Sequence, residues 1–185
     1  MKKIYCILGP SGSGKTGLAR YCESRGIVEL VSSTTRKPRP SEVEGKDYYF
    51  IDEKELNPDD FVECSFYGGI MHGLSKKEVQ SKLDQYDEVC VVLDENGLKA
   101  LKTLYSDQVV SIALDLDLET CIQRMRKRKY DPKDFKIRID MYYERKEGLL
   151  KERCDYFIDA SLTKEEMFKE FERIRNLFQG KGNSV

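Results

Sequence analysis

Ile4-Tyr5-Cys6-Ile7-Leu8-Gly9-Pro10-Ser11-Gly12-Ser13-Gly14-Lys15-Thr16 is the stretch on which the fold turns. Five apolar residues of strand length stop at a Gly/Ser-rich turn, and a helical pattern then covers Lys15–Ser24. Continuous rather than alternating hydrophobicity suits a strand covered on both faces, as in a parallel sheet with helices on either side. Val89-Cys90-Val91-Val92-Leu93 reads the same way, as does Val109–Leu114, broken only by Ser111. Val28–Val31 reads as the second strand and Tyr156-Phe157-Ile158 as a short last one. Helices are predicted at Leu118–Lys129 and near the C-terminus. There Thr163-Lys164-Glu165-Glu166 has capping-box spacing, and Met167, Phe171, Ile174 and Phe178 recur on one face. Strand and helix in alternation predict an α/β fold.

Composition narrows the class. A chain of 185 residues in one unit buries roughly 70% of the surface its unfolded form exposes, which is enough for a real core. With 32 Lys+Arg against 33 Asp+Glu and a net charge of −1, bulk electrostatics would not hold it on nucleic acid or membrane, though a local basic site is allowed. The first apolar run, ending at Gly9-Pro10, is too short for a secretory signal, and no stretch approaches a membrane span. Six scattered cysteines without a C-x-x-C pair, and one histidine, speak against a zinc site. They read as single thiols packed as small hydrophobes in a reducing compartment, the cytoplasm.

Gly9-Pro10-Ser11-Gly12-Ser13-Gly14-Lys15-Thr16 matches G-x-x-x-x-G-K-[ST] between a predicted strand and a predicted helix, the context that motif needs. Glycines let several N–H groups converge on one phosphate, and the helix N-terminus adds its positive end. Lys15 would reach the β/γ-phosphates of a nucleoside triphosphate and the Thr16 hydroxyl would ligate Mg²⁺. The loop alone does not separate kinases from GTPases or ATPases.

After the second predicted strand comes Ser32-Ser33-Thr34-Thr35-Arg36-Lys37-Pro38-Arg39-Pro40, then Glu44-Gly45-Lys46-Asp47-Tyr48-Tyr49-Phe50. Arg36 and Arg39 are two guanidinium forks suited to a phosphate monoester, and Tyr48 can add a hydroxyl donor. These segments resemble the guanylate kinase family, departing at Ser41, where the family's first glycine sits. The resemblance extends to Phe61-Val62-Glu63 and to Gly69-Ile70-Met71-His72-Gly73-Leu74-Ser75, and covers nearly the whole chain. It implies that Arg36, Arg39, Tyr48 and His72 surround the acceptor phosphate and that Ser32 also binds the acceptor. It also implies that Glu63 and Asp94, the latter in Asp94-Glu95-Asn96-Gly97, read the edge of a guanine base. In this region His72 stands in place of a phosphate-binding tyrosine, and Leu74 in place of a hydroxyl that contacts the base carbonyl. Val92 replaces an acidic residue and Asn96 a glutamine. His72 could still donate to a phosphate, more strongly if protonated.

Arg124–Arg145 is a dense basic stretch interrupted at Asp131-Pro132. Cys121-Ile122-Gln123-Arg124-Met125-Arg126-Lys127-Arg128 and Ile137-Arg138-Ile139 resemble the family's mobile lid, with Tyr130-Asp131-Pro132-Lys133-Asp134 between them departing from it. Phosphoryl transfer asks mainly for alignment and charge neutralisation, so arginines arriving on closure are expected; Arg128 and Arg138 are the candidates, Arg124 a lesser one.

The resemblance therefore implies a P-loop three-layer α/β core with a parallel sheet, over 1–31, 78–123 and 146–185. Inserted into it are a mixed α+β region at 32–77 that binds a nucleoside monophosphate and a helical lid at 124–145. The implied reaction is ATP-dependent, Mg²⁺-assisted phosphorylation of GMP or dGMP, by a monomer or homodimer. Two alternatives stand beside it: the same chemistry on another monophosphate, and a non-catalytic protein-binding module.

Overall fold

A computed structural model describes residues 2–67, 69–128 and 131–179. The first strand, β1 (Lys3–Leu8), has every side chain buried, with Ile4, Tyr5, Cys6 and Ile7 at zero exposure. It lies at the centre of a five-stranded parallel sheet. Its neighbours are β7 (Glu88–Val92) and β8 (Val109–Asp115), with β2 (Val28–Glu29) beyond β7 and β9 (Tyr156–Asp159) beyond β8. Alternate residues of β1 feed two separate cores. Tyr5 and Ile7 face Leu18, Cys121, Met125 and Phe171, whereas Ile4, Cys6 and Leu8 face Val79, Leu98 and Leu101. This two-sided burial is why the run is unbroken in the sequence, and each fully buried large aliphatic contributes roughly 1.5–3 kcal/mol.

Helices α1 (Lys15–Ser24), α4 (Leu118–Lys127) and α6 (Lys164–Gln179) bury apolar faces in the first core. Helices α2 (Lys76–Gln85) and α3 (Glu95–Tyr105) do so in the second. The capping box forms as expected: Thr163 Oγ1 donates to Glu166 Oε2 at 2.7 Å, and the Glu166 N–H donates back to Thr163 Oγ1 at 3.3 Å. Phe171 then meets Tyr5 edge-on, ring centroids 5.4 Å apart. At the far end of α6, Arg175 Nε donates to Glu88 Oε1 at 3.0 Å, and Tyr5 Oη donates to the same oxygen at 2.8 Å. All six cysteines are free thiols, and Cys6, Cys22, Cys90 and Cys121 are buried.

A second, four-stranded sheet lies in the order β4-β3-β6-β5, built from β3 (Ser33–Thr34), β4 (Tyr49–Phe50), β5 (Phe61–Tyr67) and β6 (Ile70–Ser75). β3 runs parallel to β4, while β5 and β6 form an antiparallel pair with an irregularity between Phe61 and Glu63. Helix α5 (Pro132–Glu144) forms the second half of the basic stretch, its start fixed by Asp131, whose side chain accepts from the Lys133 N–H.

Two boundaries differ from the sequence expectation by two residues, and the other strand ends by one at most. The second strand ends at Glu29, not Val31, because the Val31 N–H turns to the Glu78 carboxylate at 3.1 Å instead of the sheet. Helix α4 ends at Lys127, with Arg128 as its C-cap; Lys129, expected to be helical, and Tyr130 lie outside the described residues. Among the described residues no helix is long and apolar enough to cross a membrane.

Candidate active site

The carboxyl ends of β1 and β7 open into a cleft of about 890 Å³ that also borders the second sheet and α5. Open α/β sheets bind ligands outside such strand ends, where the chain order reverses around a central strand.

Of the Gly9–Thr16 loop, Gly9, Ser11 and Lys15 line the cleft. Gly14, the residue before α1, has φ +103°, a conformation that L side chains rarely adopt, so the turn into the helix needs glycine there. Behind Gly14 lies Met167 Cε of α6, 3.5 Å from where a Cβ would sit. Lys15 curls back over the loop, donating to the carbonyls of Gly9 at 2.6 Å and Pro10 at 2.9 Å. Burial pushes its ammonium pKa down to about 8; the Glu147 carboxylate opposes the shift, and Arg138 and Arg128 reinforce it. Ser13 Oγ is buried with no hydrogen-bond partner. Arg124 pins the loop from behind, donating to Gly12 O at 3.2 Å and Ala160 O at 2.8 Å. A short amine on its own carbonyls, an orphaned hydroxyl and a helix N-terminus fit a phosphate group. Thr16 is exposed at the start of α1. Among the described residues no group of three or more His, Cys, Asp or Glu is placed to hold a metal ion. That donor set fits Mg²⁺ carried on substrate phosphates and steadied by one hydroxyl, rather than a dedicated carboxylate cage.

The acceptor wall is only partly assembled. Ser32, Arg39, Tyr48, Glu63, His72 and Asp94 all line the cleft. Arg36 does not: its guanidinium is taken in a two-pronged pair by Glu42, at 2.9 and 2.8 Å, and lies over the rings of Tyr48 and Phe50. Glu42 also accepts from the Arg39 N–H at 2.8 Å, and these donors hold its carboxyl down to about 2. A carboxylate thus occupies the anion fork of Arg36. Burial and then the Arg36 charge push the His72 pKa below the ordinary value, which favours the neutral imidazole, still a donor through one ring N–H.

At the base end, Glu63 accepts from Ser65 Oγ at 3.1 Å, and burial raises its carboxyl above the ordinary value. Asp94 has two structural duties. It caps α3 through the Gly97 N–H at 3.0 Å, and it pairs with Arg145 Nη1 at 2.8 Å. Leu74 does not reach the cleft surface; it is fully buried with Val62, Leu98 and Leu101.

On the opposite wall, Arg138 of α5 donates to Ser11 Oγ at 2.9 Å, which brings the basic stretch onto the phosphate loop. Arg128 is exposed at the end of α4 and does not line the cleft. Glu42, Arg145 and Glu147 were not singled out from the sequence. The first carried a weak signal, an acid three residues after Arg39. The other two carried none, because their partners are remote: Asp94 is 51 positions from Arg145.

The guanylate kinase family model matches residues 1–179. A guanylate kinase of Methylobacillus flagellatus is 34% identical over 134 residues, spanning 69% of this chain and 66% of that protein, just under two thirds of its length. One from Lactobacillus johnsonii is 34% identical over 162 residues, spanning 84% of this chain and 79% of the relative. Among solved structures, guanylate kinase from Anaplasma phagocytophilum superposes with a TM-score of 0.68 at 25% identity, covering 98% of this chain and 88% of that one.

Proposed function

The chain belongs to the guanylate kinase family, and we propose that it transfers the γ-phosphoryl group of ATP to GMP or dGMP, giving ADP and GDP or dGDP. One observation carries the reading: the phosphate loop with Lys15 and the carboxylates Glu63 and Asp94 line the same cleft, with Arg39 and Arg138 on its walls. A triphosphate and a purine monophosphate in that space would meet phosphate to phosphate.

Each side chain has a physical task in this scheme. Lys15 leaves the carbonyls of Gly9 and Pro10 and takes phosphate oxygens, where its charge is worth more than in water. Arg39, and Arg36 once exchanged from Glu42, fork the acceptor's phosphate, with Tyr48, Ser32 and a neutral His72 as further polar contacts. Arg138 swings from Ser11 onto the transferred group, with Arg128 following if the stretch closes further. Glu63 and Asp94 accept from the N1–H and 2-amino group of guanine, an arrangement adenine lacks. The Thr16 hydroxyl steadies Mg²⁺, which when bound neutralises charge between the β- and γ-phosphates. No general base is needed, because a phosphate monoester oxygen is already an adequate nucleophile. The reducing cytoplasm suits six free thiols.

The test is ADP formation from ATP and Mg²⁺ with GMP, dGMP, IMP, AMP, UMP, CMP and dTMP as acceptors. GMP and dGMP should lead, with IMP, which lacks the 2-amino group, well behind. Preference for another acceptor would keep phosphoryl transfer and remove the guanine assignment. No turnover with any of them would remove the proposal.

A further inference from the structure

The base end of the cleft has two carboxylates for the donors of a guanine edge, but the position implied to supply a donor for its carbonyl is Leu74, which is fully buried. In the β5–β6 ladder Glu63 lies opposite Leu74, and Ser65 opposite His72. Directly paired residues of an antiparallel ladder share a face. Glu63, Ser65, His72 and Leu74 therefore form one patch, of which the first three line the cleft. Ser65 is the hydroxyl in that patch. Its Oγ lies 3.1 Å from Glu63 Oε2, to which it donates.

The chemistry of the guanine edge gives this contact a meaning. The 2-amino group, N1–H and O6 stand side by side in the order donor, donor, acceptor. A carboxylate that takes the two donors leaves the third position beside one of its oxygens. A hydroxyl already bonded to that carboxylate is placed beside O6. Its single proton can turn about the Cβ–Oγ bond from Glu63 Oε2 to the base, as the N1–H replaces it on the carboxylate.

We infer that Ser65 is a specificity-determining residue, the hydrogen-bond donor to O6 of the guanine base, supplied from β5 in place of the position on β6 that Leu74 occupies. The inference rests on the guanine reading proposed above. It adds that the carbonyl of the acceptor base is recognised from the strand that also carries Glu63.

The experiment compares GMP with 6-thio-GMP, which keeps N1–H and the 2-amino group but offers a weak sulfur acceptor. The wild type, Ser65→Ala and Ser65→Thr are assayed by steady-state ADP formation. The wild type should favour GMP by about fivefold to tenfold in kcat/KM, mostly through KM, the size of one neutral hydrogen bond. Ser65→Ala should raise KM for GMP by a similar factor and shrink the preference to less than about twofold, while Ser65→Thr keeps it. If Ser65→Ala does not fold, Ser65→Cys, with its weak S–H donor, should give the same loss of preference. Equal losses for both acceptors would mean that Ser65 only holds Glu63, and would overturn the donor role. An unchanged KM for GMP would overturn it too, as would a sulfur penalty that persists in Ser65→Ala. A wild type that does not use GMP at all would instead refute the underlying reading, before any variant is made.

Discussion

Lys15 begins its cycle in an expensive place. Its ammonium is held by two backbone carbonyls and is largely desolvated, which lowers its pKa from 10.5 to about 8. Bound phosphates would supply the counter-charge it lacks and return the pKa toward its ordinary value or above. At pH 9 a group of pKa about 8 is only about 10% protonated, whereas one near 10.5 is about 97% protonated. Binding ATP at pH 9 should therefore take up about 0.9 of a proton, against about 0.1 at pH 7. The triphosphate is fully ionised at pH 9, so the uptake belongs to the protein. Of the groups around Lys15, Cys121, raised to about 11, lies above the window. Calorimetric titration of the protein with ATP at pH 7 and pH 9, in two buffers of different ionisation heat, reads the uptake directly. A proton balance that does not change between the two pH values would refute the placement of Lys15 and its role together. The same shift has a sign in stability. Between about 8 and 10.5 the unfolded chain binds more protons than the folded one, so without ligand stability rises with pH across that window. The full swing is on the order of 3 kcal/mol.

Three further outcomes follow from the geometry. Arg39→Ala should raise KM for the acceptor about tenfold to hundredfold, the value of charged hydrogen bonds, with KM for ATP unchanged; a rise in the ATP term would place Arg39 elsewhere. Gly73→Ala puts a Cβ 2.5 Å from the Glu63 carbonyl oxygen, a backbone atom that cannot swing aside. It should lower the urea midpoint by the equivalent of about 1–3 kcal/mol and weaken acceptor use, and an unmoved midpoint would mean the strands part freely. Glu88→Ala takes the acceptor from the buried Tyr5 hydroxyl and leaves Arg175 to the more distant Glu172 carboxylate at 3.6 Å, at a cost of about 1–3 kcal/mol in chemical denaturation. Burial acts to raise the Glu88 carboxyl, but Arg175 and Tyr5 outweigh it and hold it below the ordinary value. The stabilisation is thus present above the unfolded carboxylate range and is lost as pH falls through the folded pKa. The variant should show a flatter acid limb than the wild type.

The parts of this molecule that could be read in advance are those whose cause is local. β1, β7 and β8 declare themselves because burial on two faces demands an unbroken apolar run, and the phosphate loop because turn, amine and helix start fall within eight residues. The Thr163–Glu166 cap is equally self-contained. β3 and β4 are two residues each and exist only through pairing with one another and with β6, so no periodicity can show them. The same holds for charge. Two arginines near a proline turn can be recognised as an anion fork, but the capture of Arg36 by Glu42 depends on how the loop folds back. The lowered pKa of Lys15 comes from burial that the full fold imposes, with Glu147 and Arg138 acting from the other end of the chain.

That dependence on distant residues has a consequence for the order in which the molecule can come into being. The phosphate loop is made well before its supports. β8 flanks β1 from residue 109 onward, Arg124 holds Gly12 in place, Met167 backs Gly14, and Phe171 closes over Tyr5. A nascent chain that has reached residue 150 carries the whole binding motif but lacks the helix behind it. Capacity to hold nucleotide should therefore arrive late and abruptly during synthesis, after α6 has emerged, rather than growing as the chain lengthens.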